Sequence, residues 1–350
     1  MLDRLIVPIV QAPMAGGPST PALAAAVCEA GGLGFVAGAL LTPQRLAEDL
    51  AATRAATGAP FGVNLFVPSG APADPEVVAA YARRVAPEAE RAGVALGAPR
   101  FHDDAYSDKV ALLGDDPVAV VSFTFGCPAP EVIAALRAVG SEIWVTVTDP
   151  GEALIAARAG ADALVVQGVE AGGHRGAFVD RPDAVDYGLL ALLQLVAAAV
   201  DVPLVAAGGI MTGAGVAAVL AAGAAAAQVG TAFMRCPEAG TAPHHREALA
   251  GADPTGLTRA FSGRLARGIV NRLQAEHSAG APIAYPELVG LLGPLRAHGI
   301  ATGDRDLTNL WAGEAHALAT ERPAADVVAE LHRGARKALA RAAARADGRG

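Results

Sequence analysis

The chain predicts a (β/α)₈ barrel on three observations. Eight short runs rich in β-branched residues recur along it, stretches of helical period separate most of them, and glycine closes several of those stretches. Alternating strands and helices require a parallel sheet, and eight repeats favour a closed barrel over an open doubly wound sheet. The length of 350 residues suits one large barrel or two ordinary domains. With 53% apolar and 18% charged residues, the chain can bury a sizeable core and is not a disordered one. Its 41 glycines and 24 prolines follow no collagen-like period and read as punctuation between many short elements.

Taken in order, the strands are Val7–Met14, Leu33–Ala37, Phe61–Val67, Val118–Phe125, Ile143–Thr148, Ala163–Gln167, Leu204–Ala207 and Ala226–Ala232. Helices are expected at Thr20–Ala30, Pro43–Thr57, Ala129–Val139, Pro150–Ala159, Tyr187–Ala199 and Gly213–Ala222, with Gly31, Gly140, Gly160 and Gly223 supplying left-handed ends. Between the third and fourth strands, residues 68–117 hold a helical stretch, Pro75–Ala92, and then a polar, irregular piece; this is expected as an insertion. Residues 235–350 are mostly helical and are expected to cover part of the barrel mouth. The chain thus divides into a barrel, 1–234, carrying that insertion, and a helical extension, 235–350. The last helix, from about Ala324, carries Arg333, Arg336, Lys337, Arg341 and Arg345 and reads as a solvated helix end.

Composition excludes several function classes. A net charge of −8 argues against nucleic acid, which needs a basic face. Cys28, Cys127 and Cys236 are far apart and form no CxxC pair, which fits a reducing cytoplasm without disulfides. No leader pattern opens the sequence. Residues 202–234 contain no charge, but Pro203 and six glycines cut the segment into pieces too short for a bilayer, as in a strand–helix–strand unit buried on both faces. His244 and His245 are adjacent and point apart on any regular element; with no HxxxH and no Cys/His cluster, no metal is expected.

Barrel chemistry sits at the C-terminal ends of strands. After the seventh strand comes Gly208-Gly209-Ile210-Met211-Thr212-Gly213, and the eighth ends in Gln228-Val229-Gly230-Thr231. Glycines let the backbone approach and bare N–H groups hold an anion, so these loops read as a phosphate pocket; the plainer reading is a pair of tight turns. After the sixth strand, Gln167-Gly168-Val169-Glu170-Ala171-Gly172-Gly173-His174-Arg175-Gly176 leaves little side chain to pack, and His174 can act there as acid, base or donor. Asn64 and Gln167 carry amides able to read the edge of a ring system, or to satisfy buried backbone at the rim.

In this order the motifs resemble the nitronate monooxygenase family, formerly 2-nitropropane dioxygenases. The resemblance runs from Pro8 to about Pro323 through Gln11-Ala12-Pro13-Met14, Gly62-Val63-Asn64-Leu65-Phe66, Glu170 to Gly176, Ala206 to Ile210 and Gln228 to Thr231. Phe261-Ser262-Gly263-Arg264, Ala266-Arg267-Gly268 and Leu310-Trp311-Ala312-Gly313 belong to it as well. It implies non-covalent FMN contacted by Ala12, Pro13, Met14, Asn64, Gln167, Gly172, Gly209, Gln228, Val229, Gly230 and Thr231. It also implies oxidation of an alkyl nitronate with O₂ to a carbonyl compound and nitrite. His174 matches the family's active-site histidine, as base toward neutral nitroalkanes or as binder of the anionic nitro group. Two positions depart: Thr124 stands where several relatives place a second histidine, and Glu314 where a glutamine is common. The rival reading is an NAD(P)H-dependent FMN reductase of quinones or enoyl thioesters on the same scaffold. A flavin-binding module without catalysis is the third.

Overall fold

In the computed structural model, which describes residues 1–68 and 70–348, the eight expected strands form one parallel sheet. Ser69, inside the expected insertion, and residues 349–350 of the extension lie outside the described residues. The strands are β1 (Ile9–Gln11), β2 (Phe35–Ala37), β3 (Gly62–Phe66), β4 (Val120–Thr124), β5 (Glu142–Val147) and β6 (Ala163–Gln167). A two-residue strand of another sheet follows, β7 (Gly173–His174), and then β8 (Leu204–Ala207) and β9 (Ala226–Val229) complete the eight. Neighbours run β1-β9-β8-β6-β5-β4-β3-β2. A parallel bridge from Val10 to Leu33, just before β2, closes the ring. There the Gln11 N–H donates to Leu33 O at 2.9 Å, and the Gln11 side chain accepts the Phe35 N–H at 2.9 Å.

The helices start where capping chemistry allows. In α1 (Pro21–Glu29), α2 (Pro43–Ala56), α3 (Pro75–Ala92), α4 (Tyr106–Asp115), α5 (Pro130–Ala138), α6 (Pro150–Ala159), α7 (Leu189–Ala199) and α8 (Gly213–Ala221), proline opens five. Thr20, Thr42, Asp149 and Thr212 accept a first-turn N–H at α1, α2, α6 and α8. Beyond β9 come α9 (Pro243–Ala250), the antiparallel pair β10 (Thr255–Thr258) and β11 (Ala266–Ile269), α10 (Arg272–His277), α11 (Glu287–Leu291), α12 (Gly293–Thr302) and α13 (Ala324–Ala346).

Two parts of the chain pack differently from the expectation. The polar piece after α3 holds α4, which packs on α2 and α5 and takes the third place in the helix ring, so the inserted matter is residues 68–105. The last helix, α13, is not part of the cover over the mouth. It packs on α8 and α1 and stands as the eighth helix of the ring. Its Val327, Val328, Leu331 and Ala335 are buried, while the five basic residues named above face outward. Backbones touch at this crossing: a Cβ on Gly213 would fall 2.5 Å from the Ala335 nitrogen.

Among the described residues the apolar side chains form four clusters, the smallest of them Met234, Ala248, Leu249, Ile269, Leu310 and Ala312 beside the late-strand end. Val10, Phe35, Val120, Trp144, Val165 and Val205 fill the barrel interior, with Phe35 and Trp144 rings 5.9 Å apart, so the barrel is a packed core and not a pore. A second, larger cluster lies between strands and ring helices. The third joins Val78, Tyr81 and Val85 of α3 to Phe261, Leu273, Leu288 and Leu295, so the insertion and residues 255–307 share one core of their own. No helix among the described residues is long and apolar enough to cross a membrane.

Candidate active site

The strand ends open into a cavity of about 460 Å³. Ala12, Pro13, Met14, Asn64, Gln167, Gly172, His174, Gly209, Gln228, Gly230 and Thr231 all line it. Val229 does not: its side chain is buried in the core, and its carbonyl accepts the Ala12 N–H at 2.8 Å.

Several of the lining side chains are already engaged. The Asn64 amide donates to Ser122 Oγ at 2.9 Å and Thr124 Oγ1 at 3.1 Å, and Thr124 Oγ1 lies 3.3 Å from Thr146 Oγ1. Thr124, at the departure from the family pattern, is thus a link in a polar ladder across the ends of β3, β4 and β5. Gln167 donates to His174 O at 3.1 Å and accepts from Gly176 N at 2.8 Å, so its amide braces the loop after β6. Arg175 also binds that loop, donating to Gly168 O at 2.9 Å. The Glu170 carboxylate accepts the Leu189 N–H at 3.0 Å and caps α7. Of the charged and titratable groups in this loop, only His174 lines the cavity.

His174 does not sit in a free loop. As part of β7 it pairs antiparallel with β11, opposite Ala266, and the Arg175 N–H donates to Leu265 O at 2.8 Å. Gly172 makes this possible, since a Cβ there would fall 2.4 Å from Ala312 C and Gly313 N. The imidazole stands among three aromatic rings: Phe125 and Tyr285 at 5.7 Å and Trp311 at 5.5 Å, centre to centre. Its Nε2 is 2.8 Å from Ser262 Oγ. Burial in this cage, reinforced by the Arg264 charge, pushes its pKa down to about 3, so the ring is neutral at physiological pH.

The late-strand loops have the character of an anion cradle. The N–H groups of Gly209, Ile210, Gly230 and Thr231 find no acceptor among the described residues. At Gly230 a Cβ would meet Ala12 Cβ at 3.4 Å and Met14 Sδ at 3.6 Å, so a larger side chain would enter the cavity. Gly209 differs. Its φ of +65° favours glycine, and a Cβ would press on Glu170 Cβ at 3.0 Å, so a replacement there strains the loop.

Sequence reasoning missed Tyr285, Val289, Arg296 and Ile300, which reach the cavity from the segment containing α11 and α12. Arg296 was the findable one, an isolated charge on α12 whose guanidinium meets no partner among the described residues. His244 and His245 line the cavity too, and His245 Nε2 lies 3.0 Å from Trp311 O. Among the described residues, one Glu/His group has metal-ligand proximity, Glu88, Glu276 and His277. Arg272 already pairs with Glu88 at 2.8 Å, and none of the three lines the cavity.

An enclosed imidazole and an anion cradle at the C-terminal end of a closed parallel sheet define a (β/α)₈-barrel enzyme. Comparison with known proteins narrows the class. Residues 1–334 match the family described as nitronate monooxygenase. The nitronate monooxygenase of Paraburkholderia phytofirmans is 43% identical over 93% of this chain and 91% of its own length. Among solved structures, nitroalkane oxidase from Streptomyces ansochromogenes matches with a TM-score of 0.95 and 49% identity, over 97% of this chain and 99% of that one. FabK from Thermotoga maritima is further off, with a TM-score of 0.77 and 26% identity over 97% and 96%. The chain belongs to the nitronate monooxygenase family, whose members are oxidoreductases.

Proposed function

We propose that the protein is an FMN-dependent enzyme that oxidises alkyl nitronates with O₂ to a carbonyl compound and nitrite. The observation that supports this best is His174, a neutral imidazole enclosed by Phe125, Tyr285 and Trp311 beside the anion cradle. The residues present fit FMN. Four unpaired main-chain N–H groups suit its phosphate, and the Asn64 Oδ1, which has no partner among the described residues, suits a donor on its ring. Ala12 to Met14, Gly172, Gly209 and Gln228 to Thr231 would hold the group; for Val229 the contact would be through main chain only. FMN, when bound, supplies the redox centre between substrate and O₂.

This chain's own residues would do the rest. The aromatic rings exclude water and pack the alkyl part of the substrate. Arg264 and Arg296 lie near enough to His174 to lower its pKa, and the same positive potential favours an anionic substrate over a neutral one. A neutral imidazole also has a lone pair for a neutral nitroalkane: it would take the α-proton and leave the C–H electron pair on the nitro group. The similarity to the Streptomyces nitroalkane oxidase favours that second substrate form. Residues 1–234 with α13 would form the cofactor-binding barrel, and the insertion with residues 255–307 a cover. The three separated free thiols support a cytoplasmic setting. Anaerobic mixing tests the function: a nitronate should bleach the flavin. Bleaching by NADH or NADPH and not by nitronate would assign the protein to the reductases instead.

A further inference from the structure

Phe125 follows β4 with a left-handed backbone, φ +75°, which a bulky residue keeps only with support. Arg264 supplies it: its guanidinium carbon sits 3.8 Å from the centre of the Phe125 ring. Arg264 is 5% exposed and makes no ion pair among the described residues. Its guanidinium donates to Ala177 O, and its Nε has no acceptor. The charge is therefore buried and fixed, with no carboxylate in ion-pair contact; Asp180 and Glu152 act on it only from beyond that distance.

Ser262 lies two residues earlier in the same turn. Its Oγ is 2.8 Å from His174 Nε2 and 3.2 Å from the Arg264 carbonyl oxygen. That carbonyl has no other donor among the described residues. A buried carbonyl requires one, so the Ser262 O–H points at it. With its single proton committed, the Ser262 oxygen can only accept from the imidazole.

We infer that the Ser262-Gly263-Arg264 turn is a positioning device that holds His174 neutral and protonated on Nε2, leaving Nδ1 as its basic atom. The inference rests on His174 being the reacting group. Ser262 fixes the tautomer, and Arg264 opposes formation of the imidazolium. The charged and titratable groups around the ring come from four segments: Arg264 from this turn, Arg296 from α12, Tyr285 from the stretch before α11, and Asp180 from the stretch after β7. Burial is the main cause of the lowered pKa; Arg264 and Arg296 add to it and Asp180 opposes it. Both Asp180 oxygens are held by Arg259, at 2.9 and 2.6 Å.

The test is ¹⁵N NMR of the histidine-labelled, flavin-loaded protein, which reads tautomer and titration without turnover. In the wild type His174 should be Nε2-protonated and stay neutral down to pH 5. Ser262→Ala should bring in the Nδ1-protonated form. Arg264→Met should raise the His174 pKa by about one unit, and Arg264→Lys, which keeps the charge, should titrate as wild type. Wild-type titration near 6.5, an Nδ1-protonated wild type, or a flavin-loaded Arg264→Met that titrates unchanged would overturn the inference. Should Arg264→Met fail to fold, the wild-type and Ser262→Ala spectra still decide it. A protein with these spectra that is inert toward nitronates would refute the proposed function and leave the device standing.

Discussion

Replacing His174 by Asn separates chemistry from structure at this site. The substitution removes a ring that meets three aromatic neighbours at 5.5–5.7 Å and a 2.8 Å contact to Ser262. Ring pairs of this kind contribute about 0.5–1.5 kcal/mol each and a hydrogen bond about 1 kcal/mol, so folding stability should fall by roughly 2.5–5.5 kcal/mol. The main chain of β7 stays paired with β11, and Gln167 still donates to the carbonyl of residue 174. Flavin should therefore be retained at a temperature where the variant is folded, as its visible spectrum will report. Turnover of a neutral nitroalkane should fall roughly 10²–10⁴-fold, the usual share of a positioned base. Supplying the same substrate as its nitronate bypasses proton removal and should restore part of the rate. A raised KM for nitronate without rescue would assign His174 to anion binding alone. Full activity on both substrate forms would refute any chemical role for this residue.

Four further outcomes follow from the same geometry. Because the His174 pKa lies near 3, kcat/KM for a nitronate should show no histidine limb between pH 5 and 8; an inflection near 6.5 would contradict the aromatic enclosure. Stability has a matching pH dependence. His174 and His245 have folded pKa values of about 3 and 4, below the 6.5 of an ordinary imidazole, so the unfolded chain binds more protons in that window and Tm should fall as pH drops from 6.5 toward 4. Gly230→Val should keep the fold but weaken FMN retention at least tenfold, about 1.4 kcal/mol, measured by equilibrium dialysis; unchanged retention would move the phosphate elsewhere. Gly172→Ala should lower thermal stability by about 1–3 kcal/mol, because its Cβ would collide with the Ala312–Gly313 backbone; a neutral effect would mean that this segment yields easily.

The barrel was legible because period and punctuation are local properties. Ala163–Gln167 and Leu204–Ala207 keep their expected bounds, β5 shifts by one residue at its expected length, and the other five strands shorten by a few residues at their ends. What the sequence did not disclose was long-range assignment. Nothing within Ala324–Ala346 says that it packs on α8 and α1 and not over the mouth; its amphipathic face states only that something covers it. Residues 106–115 looked irregular because α4 buries only Lys109 and Leu113 and so lacks a broad apolar stripe.

The site divides along the same line. Glycine loops and a histidine at a strand end announce themselves, since those residue types have few other reasons to gather there. The groups that surround His174 come from turns and helices remote in sequence, as Tyr285 and Arg296 do, and no spacing links them to Glu170 or Gly176. The structure also changes which neighbours matter to the chemistry. Gln167, Arg175 and Glu170, adjacent in sequence, are committed to hydrogen bonds that shape the loop, while Ser262 and Arg264, almost ninety residues away, reach the imidazole and its aromatic wall. The loop after β6 therefore places His174, and the β10–β11 turn sets its protonation.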